Sequence, residues 1–198
     1  MLIDTQLLSS YGGTTNFYYP KDFIHKEGEI PNYYYQIISG YVKLNHNRED
    51  GKELIQGILT TGQSICEQVL FIDEEYPLNA VAITECSVMK VPKSSFLKLL
   101  NEHPQTSEEI RRCISERLHY KFIMVQKNSS PSADVRIKGM LTYFKSFSDD
   151  QTPYSYEVLL TRQQLAAITN LRIETVIRSI KKLEREKIVK IIKGKVFF

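Results

Sequence analysis

Residues 170–184 read NLRIETVIRSIKKLE. Val176, Ile180 and Leu183 recur at i, i+4 and i+7, the spacing of one buried helical stripe. The other faces carry Arg172, Glu174, Thr175, Arg178, Lys181 and Lys182. Among these charges, beside the stripe, stand two β-branched apolar residues, Ile173 and Ile177. A solvated face has no use for them, whereas a face that enters the DNA major groove does. Arginine pairs with guanine, glutamate accepts from cytosine N4, and an apolar side chain rests on a thymine methyl. Arg172, Ile173, Glu174, Thr175 and Arg178 offer that mixture early in the helix, where recognition helices meet base edges. Lys181, Lys182 and Arg185 are placed to meet phosphates. The plain alternative is a solvated amphipathic helix with i,i+4 pairs such as Glu174–Arg178. The neighbouring segments argue against it.

Those segments are the ones that would position the helix. Thr161 can cap a short helix, RQQLAAIT, that begins at Arg162, and both residues are counted with the DNA-contacting set. Asn170 stands where the chain must turn sharply, and asparagine tolerates the left-handed conformation better than most residues. A second helix then runs from about Leu171 to Arg185, and the small Ala166 lets the two approach closely. Two helices, a tight turn and basic residues on the second make a helix-turn-helix. The final KIVKIIKGKVFF reads as strand, Lys193-Gly194 turn, strand, so the module is expected to be a winged helix. Charge agrees. Residues 1–133 hold 13 basic and 16 acidic side chains, and residues 134–198 hold 13 basic and 7 acidic, within a net charge of +3. A basic module of this kind is expected to meet a polyanion, here double-stranded DNA.

The remainder reads as a different module. Across residues 17–92, Gly28, Gly40, Gly51 and Gly62 punctuate short runs rich in aromatic and β-branched residues, and Asp50-Gly51 is a hairpin signal. Regular short strands of this kind predict a barrel or jelly roll. SSFLKLLNEHP predicts a short helix that stops before Pro104. From Pro104 a long helix follows, its first turn read as acidic at Glu108 and Glu109. Its stripe of Ile110, Ile114, Leu118, Phe122 and Val125 suits either packing on its own barrel or a dimer seam. NSSPSAD reads as a hinge, with Asp134 placed to cap the next helix, VRIKGMLTYFKSF, and SDDQTPYSYE as a loop leading toward a strand. The expected fold class is α+β, with an effector domain over 1–103, a dimerisation helix over 104–129 and a DNA-binding domain over 130–198. No apolar run approaches the roughly 18 residues of a membrane span, and the N-terminal stretch lacks the basic residue of a secretory signal. Three scattered cysteines, Cys66, Cys86 and Cys113, suit reduced thiols and a cytoplasmic protein.

The stretch TRQQLAAITNLRIETVIRSIKKLE resembles the DNA-binding signature of the cyclic-AMP receptor protein and fumarate/nitrate regulator (Crp/Fnr) family of bacterial transcription factors. YPKDFIHKEGEIPNYYYQIISGYVKL resembles that family's cyclic-nucleotide-binding-like barrel, and the order of barrel, long helix, hinge and winged helix also matches. The resemblance implies a homodimeric regulator whose long helix forms the dimer interface, with RNA polymerase as a candidate further partner. Glu174 and Arg178 fall where the family places base-reading Glu and Arg, and Thr175 also matches. The family's usual Arg immediately before the Glu is Ile173 here, so the site should differ from the common TGTGA-type half-site at that position, and a thymine contact suits an isoleucine.

The family's phosphate-binding cassette falls on CEQVLFIDEEYPLNAVAIT, residues 66–84. Where cyclic-nucleotide binders have Gly-Glu and later Arg-Ser or Arg-Thr, this chain has Cys66, Glu67, Leu78 and Asn79. Losing the Arg removes the charge-assisted contact to phosphate, so cyclic AMP is not the expected effector, and the effector stays unassigned. Lys121 on the long helix is counted with this pocket, and Glu67 alone reads as a solvated or locally bonded carboxylate. The cysteine cluster of iron–sulfur members is missing, so no such cofactor is expected. His103 and His119 read as surface or capping residues rather than haem ligands. A rival of another class is a small-molecule-binding signalling module whose basic C-terminal region binds protein or RNA, which leaves the helix-turn-helix unexplained. No paired carboxylates, metal-ligand cluster, nucleophile motif or Gly-rich phosphate loop points to an enzyme.

Overall fold

Tyr34 and Tyr35 adjoin in sequence and are both buried, yet they serve different cores. The computed structural model describes residues 3–47, 51, 53–72, 74–146 and 150–198. It opens with α1 (Thr5–Ser10), followed by β1 (Thr14–Tyr18), β2 (Phe23–His25), β3 (Tyr33–Ser39), β4 (Tyr41–Asn47) and β5 (Glu53–Thr60). A 3-10 turn (Glu67–Phe71) leads to β6 (Asn79–Ala82) and β7 (Cys86–Pro92). The strands form two antiparallel sheets, ordered β1-β7-β3 and β2-β6-β4-β5. Successive side chains of a strand leave opposite faces. Tyr35, Ile37 and Val88 therefore point between the sheets, against Val42, Leu44 and Ala80. Tyr34, Met89 and Val91 point the other way, onto α1, α2 (Lys93–Glu102) and the start of α3 (Pro104–Asn128). There the Tyr34 ring stacks on Phe96 at 4.0 Å.

All four spaced glycines lie at turns with positive φ, from 75° at Gly51 to 97° at Gly40. Gly40 has no substitute: a Cβ there would meet the Glu85 carbonyl oxygen at 2.4 Å. β4 and β5 pair as the hairpin signal predicts, although Asp50 itself lies outside the described residues. So do Phe147, Ser148 and Asp149, at the end of one expected helix and the start of the expected loop.

Contacts divide the chain into two compact units, Met1–Arg117 and Leu118–Phe198. The second contains α4 (Ala133–Lys145), β8 (Glu157–Val158), α5 (Arg162–Thr169), α6 (Ile173–Arg185), β9 (Lys190–Ile192) and β10 (Lys195–Phe197). Its sheet is ordered β8-β10-β9. Lys193 and Gly194, both at positive φ, make the two-residue turn whose twist suits a hairpin. Two expectations at helix starts are corrected. α3 begins at Pro104 with no acid in its first turn; Glu108 lies further in and pairs with Arg111 at 2.6 Å. Ser132 occupies the N-cap position of α4 without a side-chain cap bond, whereas Asp134 sits inside the first turn and pairs with a lysine of α6 instead. No helix among the described residues is long and apolar enough to cross a membrane.

His25 is buried in the barrel, its ring stacked on Tyr76 at 3.6 Å. Desolvation, partly offset by the backbone beside Lys26, lowers its pKa to about 4. The unfolded chain, with a histidine pKa near 6.5, takes up this proton more readily than the folded one. Stability should therefore fall as pH drops from about 6.5 towards about 4, by roughly 3 kcal/mol at 1.36 kcal/mol per pH unit. His25→Phe keeps the stacking and should remove that component. Urea unfolding of both proteins at about pH 7 and about pH 4 checks it, and an equal acid loss in the variant would assign the effect to other groups.

Candidate nucleic-acid interface

Local chemistry fixes both helices of the pair. Gln164 N–H donates to Thr161 Oγ1 at 3.1 Å, and Thr161 N–H donates to Gln164 Oε1 at 2.8 Å, a reciprocal capping box at the start of α5. Asn170 closes α5 in the left-handed conformation, at φ 51°, and the Leu171 N–H donates back to the Ala166 carbonyl. Arg172 is the N-cap of α6, in extended backbone, so it stands just outside the helix that the sequence placed it in. Val176, Ile180 and Leu183 are exposed by 1% or less and seat α6 on its unit.

At 3.6 residues per turn, Glu174, Arg178 and Arg185 fall within about 30° of the direction opposite that stripe, and Lys181 within about 50°. All four are exposed, so they form the outward row of α6. Ile173 and Ile177 share one flank, each 40% exposed. Thr175 and Lys182 share the other. Lys182 pairs there with Asp134 of α4, whose carboxyl it holds below the ordinary range, and lies 3.8 Å from Glu186. Thr161 and Arg162 lie at the other end of the motif, beside the wing. Arg162 Nη2 donates to the Gly194 carbonyl at 3.3 Å. A cleft of about 570 Å³ opens there, lined by Leu159, Thr161, Arg162, Gly194 and Lys195 among others. The sequence reading placed Arg185 at phosphates and singled out Ile177 beside the stripe, both from the helical period; it missed Lys195, which needed the wing's position.

The effector-side residues are arranged around a buried charge. Cys66 precedes the 3-10 turn at φ 52°, a backbone position that favours glycine. Glu67 is 1% exposed, and its Oε2 accepts from Arg117 Nη1 at 2.6 Å. Arg117 Nη2 also donates to the Ser64 carbonyl at 3.0 Å. Glu67 is thus neither solvated nor served locally, because its cation comes from 50 residues away on α3. Burial and the Glu67 charge push the nearby Tyr34 phenol well up, and Tyr34 donates its proton to Gln36 Oε1 at 2.9 Å. The Gln36 amide in turn holds both the N–H and the carbonyl of Ile3. Leu78 is buried in the core between the sheets with Cys66 and Tyr76. Asn79 accepts from the Glu27 N–H at 3.0 Å and donates to the Asn45 carbonyl at 3.3 Å. Lys121 is exposed and belongs to the second unit. The sequence reading counted Lys121 with the pocket, one helical turn later than Arg117, and gave Glu67 no distant partner.

Residues 15–103 match the model of the cyclic nucleotide-binding domain, and residues 135–197 match the Crp-like helix-turn-helix domain. The cAMP-activated global transcriptional regulator CRP of Salmonella typhimurium is 28% identical over 174 residues, covering 86% of this chain and 83% of that protein. The structure of FixK2 from Bradyrhizobium japonicum superposes with a TM-score of 0.82 at 20% identity, over 94% of this chain and 92% of the other. The c-di-GMP responsive global regulator CLP of Xanthomonas campestris gives 0.74 at 18% identity, over 98% and 99%.

Arg117→Met would leave the Glu67 carboxylate buried without its cation. The expected cost is about 3 kcal/mol in urea unfolding, and adding Glu67→Gln should recover much of it. A single-variant cost below about 0.5 kcal/mol would mean that the pair contributes nothing to the fold.

Proposed function

The chain belongs to the Crp/Fnr family of transcription regulators, and from that premise we propose that it is a homodimer which reads DNA without cyclic AMP. It is a regulator with a helix-turn-helix, not an enzyme. The observation that carries the DNA reading is the outward row Glu174, Arg178, Lys181 and Arg185, set on a stripe that is fully buried. Glu174 and Arg178 read base edges, with Arg172 and Thr175 beside them. Lys181 and Arg185 meet phosphates, as do Thr161, Arg162 and Lys195 at the wing. Lys182 and Lys195 do so only by exchanging Asp134 and Glu157, respectively, for a phosphate oxygen.

Dimerisation is assigned to the second half of α3, where Leu118, Phe122 and Val125 recur at i, i+4, i+7 and are all exposed. Functionally, 1–103 is the effector domain, 104–129 the dimer helix and 130–198 the DNA-binding domain. Two copies present two recognition helices about one turn of DNA apart. RNA polymerase is proposed as a further partner and the cytoplasm as the compartment.

The cassette does not fit a cyclic phosphate. Leu78 supplies no charge, Asn79 is committed to the backbone of neighbouring strands, and Glu67 already has Arg117. A buried phosphate without a cation is costly. When bound elsewhere in the family fold, the nucleotide supplies a charge and a hydrogen-bonding ribose. Here Arg117 answers the Glu67 charge through Oε2, while the buried Oε1 has no hydrogen-bond partner among the described residues.

Selection from a random duplex pool, with no nucleotide added, tests this reading. The expected product is a two-fold symmetric motif, on which Arg178→Ala loses roughly 1–3 kcal/mol and relaxes one base position. A pool that stays random would contradict it. Phe122→Glu should shift the protein to monomers in sedimentation, and a dimer of unchanged strength would remove α3 as the interface.

A further inference from the structure

Ile173 and Ile177 lie one helical turn apart on one flank of α6, each 40% exposed, outside the buried stripe and bordering the outward charged row. β-branched residues are poor helix formers, and lysine or glutamate would serve a solvated flank better. The surroundings identify what covers them. Arg172, Arg178, Lys181 and Arg185 on the same helix favour a polyanion, and an apolar edge beside such a row matches the one apolar group that the major groove presents, the thymine 5-methyl.

We infer that Ile173 and Ile177 together form a thymine-reading edge, each covering one pyrimidine 5-methyl group in the half-site. The inference rests on the proposed entry of α6 into the major groove. Geometry sets the spacing. Four residues of helix rise about 6 Å, close to two base steps of about 3.4 Å. The two thymines therefore lie within about two steps of one another. Cytosine is disfavoured at both places, because its exposed N4 amine would face an isoleucine that accepts no hydrogen bond.

Deoxyuridine, which pairs as thymine does but lacks the methyl, isolates the contact. In the duplex recovered by selection, each thymine is replaced singly by deoxyuridine and the affinity is measured at one fixed salt concentration. Wild-type protein should lose about fourfold at each of two positions per half-site, the worth of one buried methyl. Ile173→Ala should abolish that discrimination at one position and Ile177→Ala at the other, each leaving the remaining position sensitive. Both variants bind the deoxyuridine duplex as a folding control. A recovered motif with no sensitivity to deoxyuridine, or sensitivity that both variants retain, overturns the inference and leaves the DNA-binding reading standing. A pool with no motif sinks both.

Discussion

A carboxylate carried into a protein interior must find a cation or give up its charge. Glu67 is the place where this chain meets that constraint. The turn that holds it starts at Cys66 in left-handed backbone, so the carboxylate is aimed inward rather than at solvent. Arg117 of α3 answers it and also takes the Ser64 carbonyl. One ion pair therefore joins the cassette to the middle of the long helix within the first unit. Tyr34 and Gln36 extend the polar network to the backbone of Ile3. Around this network the remaining cassette positions turn apolar or become structural, with Leu78 and Tyr76 inside the core and Asn79 bridging strands. A barrel of the cyclic nucleotide-binding type has in this way met its charge requirement from its own chain.

In the second unit a single helix serves two opposed needs. α6 must bury Val176, Ile180 and Leu183 to be held, and must keep its opposite face free of partners to be useful. The helical period separates the two faces, and each flank is used differently. Lys182 is drawn to Asp134 of α4, which steadies the helix sideways, while Ile173 and Ile177 stay exposed on the other flank. An acidic residue expected to cap its own helix thus orients a neighbouring one.

What could be read in the sequence was local. The Thr161 cap, the left-handed Asn170, the Lys193-Gly194 turn and the spaced glycines of the barrel each depend on residues a few positions apart. Those signals were enough for the winged helix and for the strands. The partners of charged groups were hidden because they are distant. Glu67 and Arg117 are separated by 50 residues, and Asp134 and Lys182 by 48. Finding Arg117 rather than Lys121 needed the phase of α3 against the barrel, which no local pattern supplies. Arg172 was placed two residues too far into its helix, which starts at Ile173 rather than Leu171, at a boundary set by backbone conformation alone.

In the proposed reading, the Arg117–Glu67 pair stands where a nucleotide would otherwise be needed. Titrating cyclic AMP against the protein's affinity for its selected duplex tests this most directly. With Glu67 already paired to Arg117, the dissociation constant for DNA should be unchanged at millimolar cyclic AMP, with no saturable heat of nucleotide binding. Saturable binding that tightens the DNA complex would contradict it.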